Sequence, residues 1–484
     1  MTQLRVGILG NDVGSKAFAC FLKHRLPDTS ITFFNNPSEV PSRFSSPWIR
    51  NDRKGRMCVM DLGREILGIG EKEFIVSKVN STFGLRAGQD IEKIPSFRSV
   101  VKNIYSITLE PFRSRKIESA QDMSVFEFFD RRFGKSFAER YAYIVTRSLN
   151  GQSDAQQVSI HALLPRMAKN FHAHKSVLLG PLISALGGSE KRNSPSFTNV
   201  MDHLWQELMS GGKYVSMVPG VDLSGFFQQL DRHTSSVCSS VSGRAVSVGT
   251  KEIECEDGSK HPVDLIVSSW RPDTLMEIFS SPPEEFAKKL SAHEKLHATR
   301  FVWSCDEILK SSIPPVLVST DNMMIIQSGL YEYLPTFSLI IDVLSPNPTS
   351  LESFRESSKQ VLTGKLGEIV LNHDPVSVDV DSEELPRACL GSNEALIQFN
   401  KWRLGKVKKF QTDLQVVGKW YYAPSGSVTD LVADAHELAV LVASRYENYP
   451  KRENELRSHW MNRSDRSLDF SYQTDAVSTS TRLS

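Results

Sequence analysis

A chain of 484 residues, 40% hydrophobic and 23% charged, has room for two or more domains with sizeable cores, which excludes a disordered or fibrous bulk. A formal net charge of +1 supplies no global field to attract nucleic acid or anionic lipid, so a nucleic-acid partner is not expected. Cys20, Cys58, Cys238, Cys255, Cys305 and Cys389 form no CxxC pair and accompany no histidine cluster. They read as separate reduced thiols of an intracellular protein, with neither a metal site nor a disulfide framework. No apolar run reaches the roughly 18 residues of a membrane span, and the chain enters its first strand without a signal-peptide pattern.

Residues 4–22, LRVGILGNDVGSKAFACFL, have the layout of a buried strand, a tight turn and a helix. Residues 5–9 are short and apolar enough for an interior parallel strand, and Ala17, Phe18, Phe21 and Leu22 fall at helical spacing. This is a βα unit of the dinucleotide-binding kind. In its full glycine fingerprint the second glycine lets a pyrophosphate approach the backbone and the third lets helix pack on strand. Here Gly10 opens the motif, Asp12 takes the second glycine position, Ser15 the third, and Gly14 falls one residue early. The Asp12 carboxylate is expected beside the helix N-terminus where a diphosphate would have to come close.

Residues 30–34 form a second β-rich run, and where a ribose-binding acid is expected the chain has Asn35 and Asn36. Residues 37–54, with Arg43 and Trp48-Ile49-Arg50, read as a polar surface loop. At Ser124 a capping box opens a helix with Val125, Phe128, Phe129 and Phe133 on one face. Further helices are predicted over 137–149 and 159–169. Residues 177–186, VLLGPLISAL, are the most apolar run, interrupted by Pro181 and too short to span a bilayer. They suit a kinked core segment or shallow insertion into a membrane surface, and neighbouring His172 and His174 are read as surface or core histidines rather than ligands.

After a helix at 197–208, a strand at 214–218 and a helix at 223–232, strands at 245–248, 252–256 and 264–269 are predicted, with Asp257-Gly258 as a hairpin turn. A helix at 284–295 follows. Runs at 299–304, 316–319, 323–327 and 337–343 suggest a second, mostly antiparallel sheet, and 351–371 a long amphipathic helix. The chain closes with a strand at 414–417, an aromatic-rich turn at 418–427 and a helix at 428–446. The charged, then Ser/Thr-rich residues 451–484 read as a disordered tail.

Taken together, this order of parts resembles the flavin-containing amine oxidase superfamily and, within it, the protoporphyrinogen oxidase family. Residues 4–22 resemble its glycine-rich opening, and Trp48-Ile49-Arg50 its WIR. VFEFFDRRFGKSFAE followed by RSLNGQSDAQQVSIHALLP resembles its central helical motif. HKSVLLGPLISALG resembles the segment that seats the family on the mitochondrial inner membrane, LIQF at 396–399 its IPQY, and Gly418 with Ser427-Val428-Thr429-Asp430 its closing flavin-contact motif. The resemblance implies an α/β fold in three parts. A discontinuous FAD-binding Rossmann-like domain comprises 1–85, 214–271 and 411–450. A helical, membrane-associated lobe spans 86–212, and a mixed or antiparallel substrate-domain sheet spans 272–409.

The same resemblance implies FAD as cofactor, with Gly10, Gly14, Asn35, Arg43, Trp48, Gly418 and Val428 as candidate contacts, and a porphyrinogen substrate met by Arg86. The activity implied is oxygen-dependent oxidation of protoporphyrinogen IX in haem biosynthesis, at the periphery of the mitochondrial inner membrane, with room for a homodimer. No residue announces itself as a catalytic base. The departures fall at flavin-contact positions: Asp12, Asn35, Ser45-Ser46-Pro47 for a glycine pair, Asp434-Ala435 for the closing Ser-Gly, and Phe83 near the expected substrate arginine. An alternative follows, a non-catalytic relative with weakened or lost FAD binding that keeps the fold for interaction.

Overall fold

The computed structural model describes residues 3–34, 58–59, 61–69, 74–78, 83–87, 90–94, 110, 122–150, 154–163, 215–219, 223–305, 316–319, 324–333, 336–359, 364–422 and 428–447. The polar loop 37–54, the apolar run 177–186 with His172 and His174, the helix predicted at 197–208 and the tail 451–484 lie outside the described residues.

β1 (Arg5–Leu9) feeds directly into α1 (Val13–Arg25), which returns to β2 (Ser30–Phe34) parallel to β1, with Val6 opposite Ile31 and Ile8 opposite Phe33. Two strands far along the chain complete the same sheet on the other side. Leu265–Ser268 pairs parallel with β1, and Asp413–Val416 pairs parallel with Leu265–Ser268; the short Ser239–Val241 strand closes the edge beyond β2. Both faces are covered, so the central strands β1 (RVGIL) and Leu265–Ser268 (LIVS) are mostly apolar, whereas Asp413–Val416 also buries the polar Asp413 and Gln415. Val6, Ile8, Ile31, Phe33, Leu265 and Val267 face α1 and the Val428–Glu447 helix, whereas Leu9, Phe34, Ile266, Leu414 and Val416 face the opposite core. α1 is buried almost all round because the Val428–Glu447 and Leu223–Val237 helices flank it. The opposite core is closed by the Ala245–Gly249, Glu252–Cys255 and Lys260–Pro262 meander and by helices that include Ser392–Phe410.

The second sheet has seven strands, in the order Ser377–Pro386, His293–Cys305, Thr336–Ser345, Met324–Tyr333, Val316–Ser319, Phe83–Ala87, Asp90–Ile94. It is antiparallel except for the parallel pairing of Val316–Ser319 with Phe83–Ala87. Phe83–Ala87 and Asp90–Ile94 are therefore an antiparallel strand pair of this sheet. The boundary drawn at residue 85 is corrected, because a strand pair with an open edge satisfies its backbone by joining a sheet rather than a helical lobe. The Ser377–Pro386 strand was not foreseen, since its run of acids masks the valine alternation. The helix predicted at 284–295 is Glu285–Leu290, and residues from His293 onward belong to a strand. The helix predicted at 351–371 is two helices, Leu351–Ser358 and Gly364–Asn372. Phe74–Lys78 and Val215–Pro219 form a separate antiparallel pair.

In the helical region the Ser124 half of the predicted capping box forms: Ser124 Oγ accepts from Glu127 N at 3.0 Å and opens the Val125–Phe133 helix, while the Glu127 carboxylate pairs with Arg131. Its Phe129 and Phe133 pack with Phe137 of the following Lys135–Asn150 helix, centroids 4.6–6.0 Å apart.

Candidate functional site: a self-capped crevice and a neighbouring cleft

The carboxyl ends of β1, Leu265–Ser268 and Asp413–Val416 converge where open parallel sheets carry their ligands. The turn after β1 is made by Gly10 at φ 113°, and a Cβ there would overlap Ser269 Oγ, so the position requires glycine. Gly418, following Asp413–Val416, has φ 100° and donates its N–H to Asp434 Oδ2 at 3.0 Å. A Cβ built on Gly14 would lie 3.5 Å from the Gly418 Cα. Gly10, Gly14 and Gly418 are thus brought together around Ser269, although Gly10 and Gly418 are about 400 residues apart in the chain.

Asp12 decides what this crevice can hold. It is the N-cap of α1, in extended conformation (φ −80°, ψ 172°), and its Oδ1 accepts the Ser15 N–H at 2.8 Å and the Ser15 hydroxyl. Ser15 Oγ stands 3.0 Å from Ser269 Oγ. A helix N-terminus offers unpaired N–H groups and a partial positive charge to an anion. In this chain an anion of its own already takes that position. A dinucleotide's diphosphate would have to displace Asp12 from those donors while meeting its charge, with Asp434 close behind Gly418. The described residues do not fit a flavin dinucleotide at this point.

Of the other candidate contacts, Val428 is 2% exposed and starts the closing helix as part of the α1 core. Asn35, Arg43 and Trp48 lie outside the described residues. Arg86 sits on Phe83–Ala87, opposite Ser319 and Ile91 in the seven-stranded sheet.

Beside the crevice, past the end of Asp413–Val416, lies a small cleft of about 60 Å³, open to solvent and lined in part by His161, Arg387, Ser392, Lys419, Trp420 and Tyr422. Lys419 Nζ lies 5.5 Å above the Trp420 ring and donates to Glu384 O at 2.7 Å. Arg387 Nη2 bonds Glu294 Oε1 at 2.6 Å, and Tyr421 Oη donates to Trp270 O at 2.7 Å. Burial pushes the His161 pKa down, partly offset by the charge of Glu394, which leaves a neutral imidazole at neutral pH. Ser269 and Arg387 had no sequence signal, because their place depends on strand ends meeting.

No protein-family model matches the chain, and no curated protein matches its sequence. Solved structures do. One, from Exiguobacterium sp. 255-15 and provisionally named a protoporphyrinogen oxidase, superposes with TM-score 0.61 at 14% identity over 92% of this chain and 100% of its own. Cyclohexylamine oxidase from Brevibacterium oxydans IH-35A gives 0.58 at 11% identity over 92% and 100%. A reduced UDP-galactopyranose mutase gives 0.57 at 12% over 95% and 98%. The chain has a flavin amine-oxidase-like fold. It is the α/β fold of FAD-binding oxidoreductases, built on a parallel sheet. Among the described residues, no helix is long and apolar enough to cross a membrane, and no group of His, Cys, Asp and Glu could hold a metal ion.

Proposed function

We propose that this chain is a protoporphyrinogen-oxidase-like protein that has given up flavin chemistry and acts by binding, with the amine-oxidase-like fold kept as its scaffold. The observation that carries this reading is Asp12, a carboxylate capping α1 where a dinucleotide phosphate would be received. A like charge inside a partly desolvated pocket costs several kcal/mol, and ~1.4 kcal/mol is tenfold in affinity. The resemblance to the protoporphyrinogen oxidase family suggests a haem-pathway setting, with a porphyrin-like ligand or pathway protein as partner, peripheral to the mitochondrial inner membrane.

A second reading has its own support. Gly10 and Gly418 keep positive-φ backbones, and the Gly14–Gly418 approach keeps the close glycine contacts that a dinucleotide cradle needs. On that reading the protein is an FAD-dependent oxidase of a porphyrinogen.

One experiment separates the two. The full chain is purified and its flavin absorbance measured, beside the variant Asp12→Gly with Ser15→Gly. We expect no stoichiometric flavin in the native protein and at least tenfold tighter FAD binding in the variant. One tightly held flavin per native chain would overturn the binding-protein reading and establish the oxidase reading.

A further inference from the structure

Ser377–Pro386 is the terminal strand of the seven-stranded sheet, paired on one side with His293–Cys305. Val376, Val378 and Val380 are 73%, 48% and 54% exposed, although Phe301 and Thr299, which stand opposite Val378 and Val380, are buried. The register shows the continuity: Val343 and Ile341 pair with Thr299 and Phe301, which pair in turn with Val380 and Val378. The first four of those residues are at most 2% exposed, and Phe301 stacks on Phe354 at 5.0 Å. The core face of the sheet therefore runs out uncovered onto its last strand, and that strand also carries a backbone edge that can accept another strand.

We propose that a second copy of this chain occupies the edge, the two Ser377–Pro386 strands pairing antiparallel about a twofold axis at Val378. The sequence fits itself in this register. Val378 meets Val378 of the second copy and Val376, immediately ahead of the strand, meets Val380, so the valines gather on one face as β-branched cross-strand pairs. On the other face Asp379 meets Ser377, which keeps the carboxylates from standing opposite one another. Centring the axis on Asp379 would oppose two aspartates, and shifting by one residue would set valines against Asp and Ser. The valine repeat and the acid spacing thus select one closed, isologous pairing, which buries the exposed stripe at the centre of a continuous sheet. This inference holds whether or not the crevice takes flavin.

The test uses the full chain. Light scattering after size exclusion should give twice the 54.3 kDa of one chain, and Val378→Lys, a change at a half-exposed side chain, should raise the dimer dissociation constant at least tenfold while leaving the circular dichroism unchanged. Val378→Cys should cross-link to itself under mild oxidation, because directly opposed residues bring their Cβ atoms to about 4.5 Å, within reach of a disulfide after a small shift. Val376→Cys should link to Val380→Cys only when the two variants are mixed, with peptide mapping to set aside the native thiols. A monomer at every concentration, a dimer indifferent to Val378→Lys, larger open assemblies, or links that map to another register would each overturn the proposal.

Discussion

The Asp12 carboxylate lies against Gly418: a Cβ built on Gly418 would stand 2.8 Å from Asp12 Oδ2. Only a residue without a side chain therefore fits between the closing strand and the cap of the first helix, and the Asp12 carboxylate fills the crevice from within.

From that contact follows a double-mutant cycle. Gly418→Ala forces a side chain into φ 100° and against Asp12, and should destabilise the protein by about 2–3 kcal/mol in urea unfolding. Asp12→Gly alone should cost only a few tenths, since glycine is a tolerable N-cap. In the Asp12→Gly background the penalty of Gly418→Ala should fall to about 1–2 kcal/mol, the backbone part alone. Strict additivity would mean that Asp12 and Gly418 do not touch.

Arg5 and Asp264 fasten the outer ends of β1 and the Leu265–Ser268 strand. Burial pushes the Asp264 pKa up, but it accepts from Arg5 N at 3.1 Å, Nε at 3.0 Å and Nη2 at 2.8 Å, and these bonds with the Arg5 charge hold it below the ordinary carboxylate value. The sign follows from the unfolded chain binding its proton more readily than the folded one. Stability from this pair is fully present above the usual carboxylate pKa of about 4 and is lost as pH falls through the lowered folded value. Thermal melts from pH 6 to pH 3 should show a smaller fall in Tm for Asp264→Asn than for the native chain. The variant's cost at pH 7 should be only about 1 kcal/mol, because Arg5 is 42% exposed.

Glu110 and Arg132 form a fully buried pair, 0% and 1% exposed, in which Arg132 Nε donates to Glu110 Oε1 and Nη2 to Glu110 O, both at 2.8 Å. Removing either partner strands a charge, so Glu110→Gln or Arg132→Met should cost about 3–5 kcal/mol in equilibrium unfolding. The paired replacement Glu110→Leu with Arg132→Met should recover most of that loss. A paired variant as unstable as the singles would show that the pair is needed for more than mutual neutralisation.

The sequence alone was enough for elements whose pattern is local. The strand–turn–helix of residues 4–22 and the Ser124 capping box are written in spacings of one to four residues, and the glycine departures at Asp12 and Ser15 stand in plain view. The run at 414–417 identified a buried strand, now seen as Asp413–Val416, in which the polar Asp413 and Gln415 are buried by bonding to each other. Tertiary structure alone decided the rest. Phe83–Ala87 and Asp90–Ile94 belong to the seven-stranded sheet because an open strand edge needs a partner, which no local pattern names. Whether Asp12 repels a ligand from outside or replaces it from within depended on Gly418 and Ser269 arriving at the α1 N-terminus from distant parts of the chain. The exposed valines of Ser377–Pro386 became legible only once the register set them beside Phe301 and Thr299, since burial is a property of the faces that meet and not of the run that carries them.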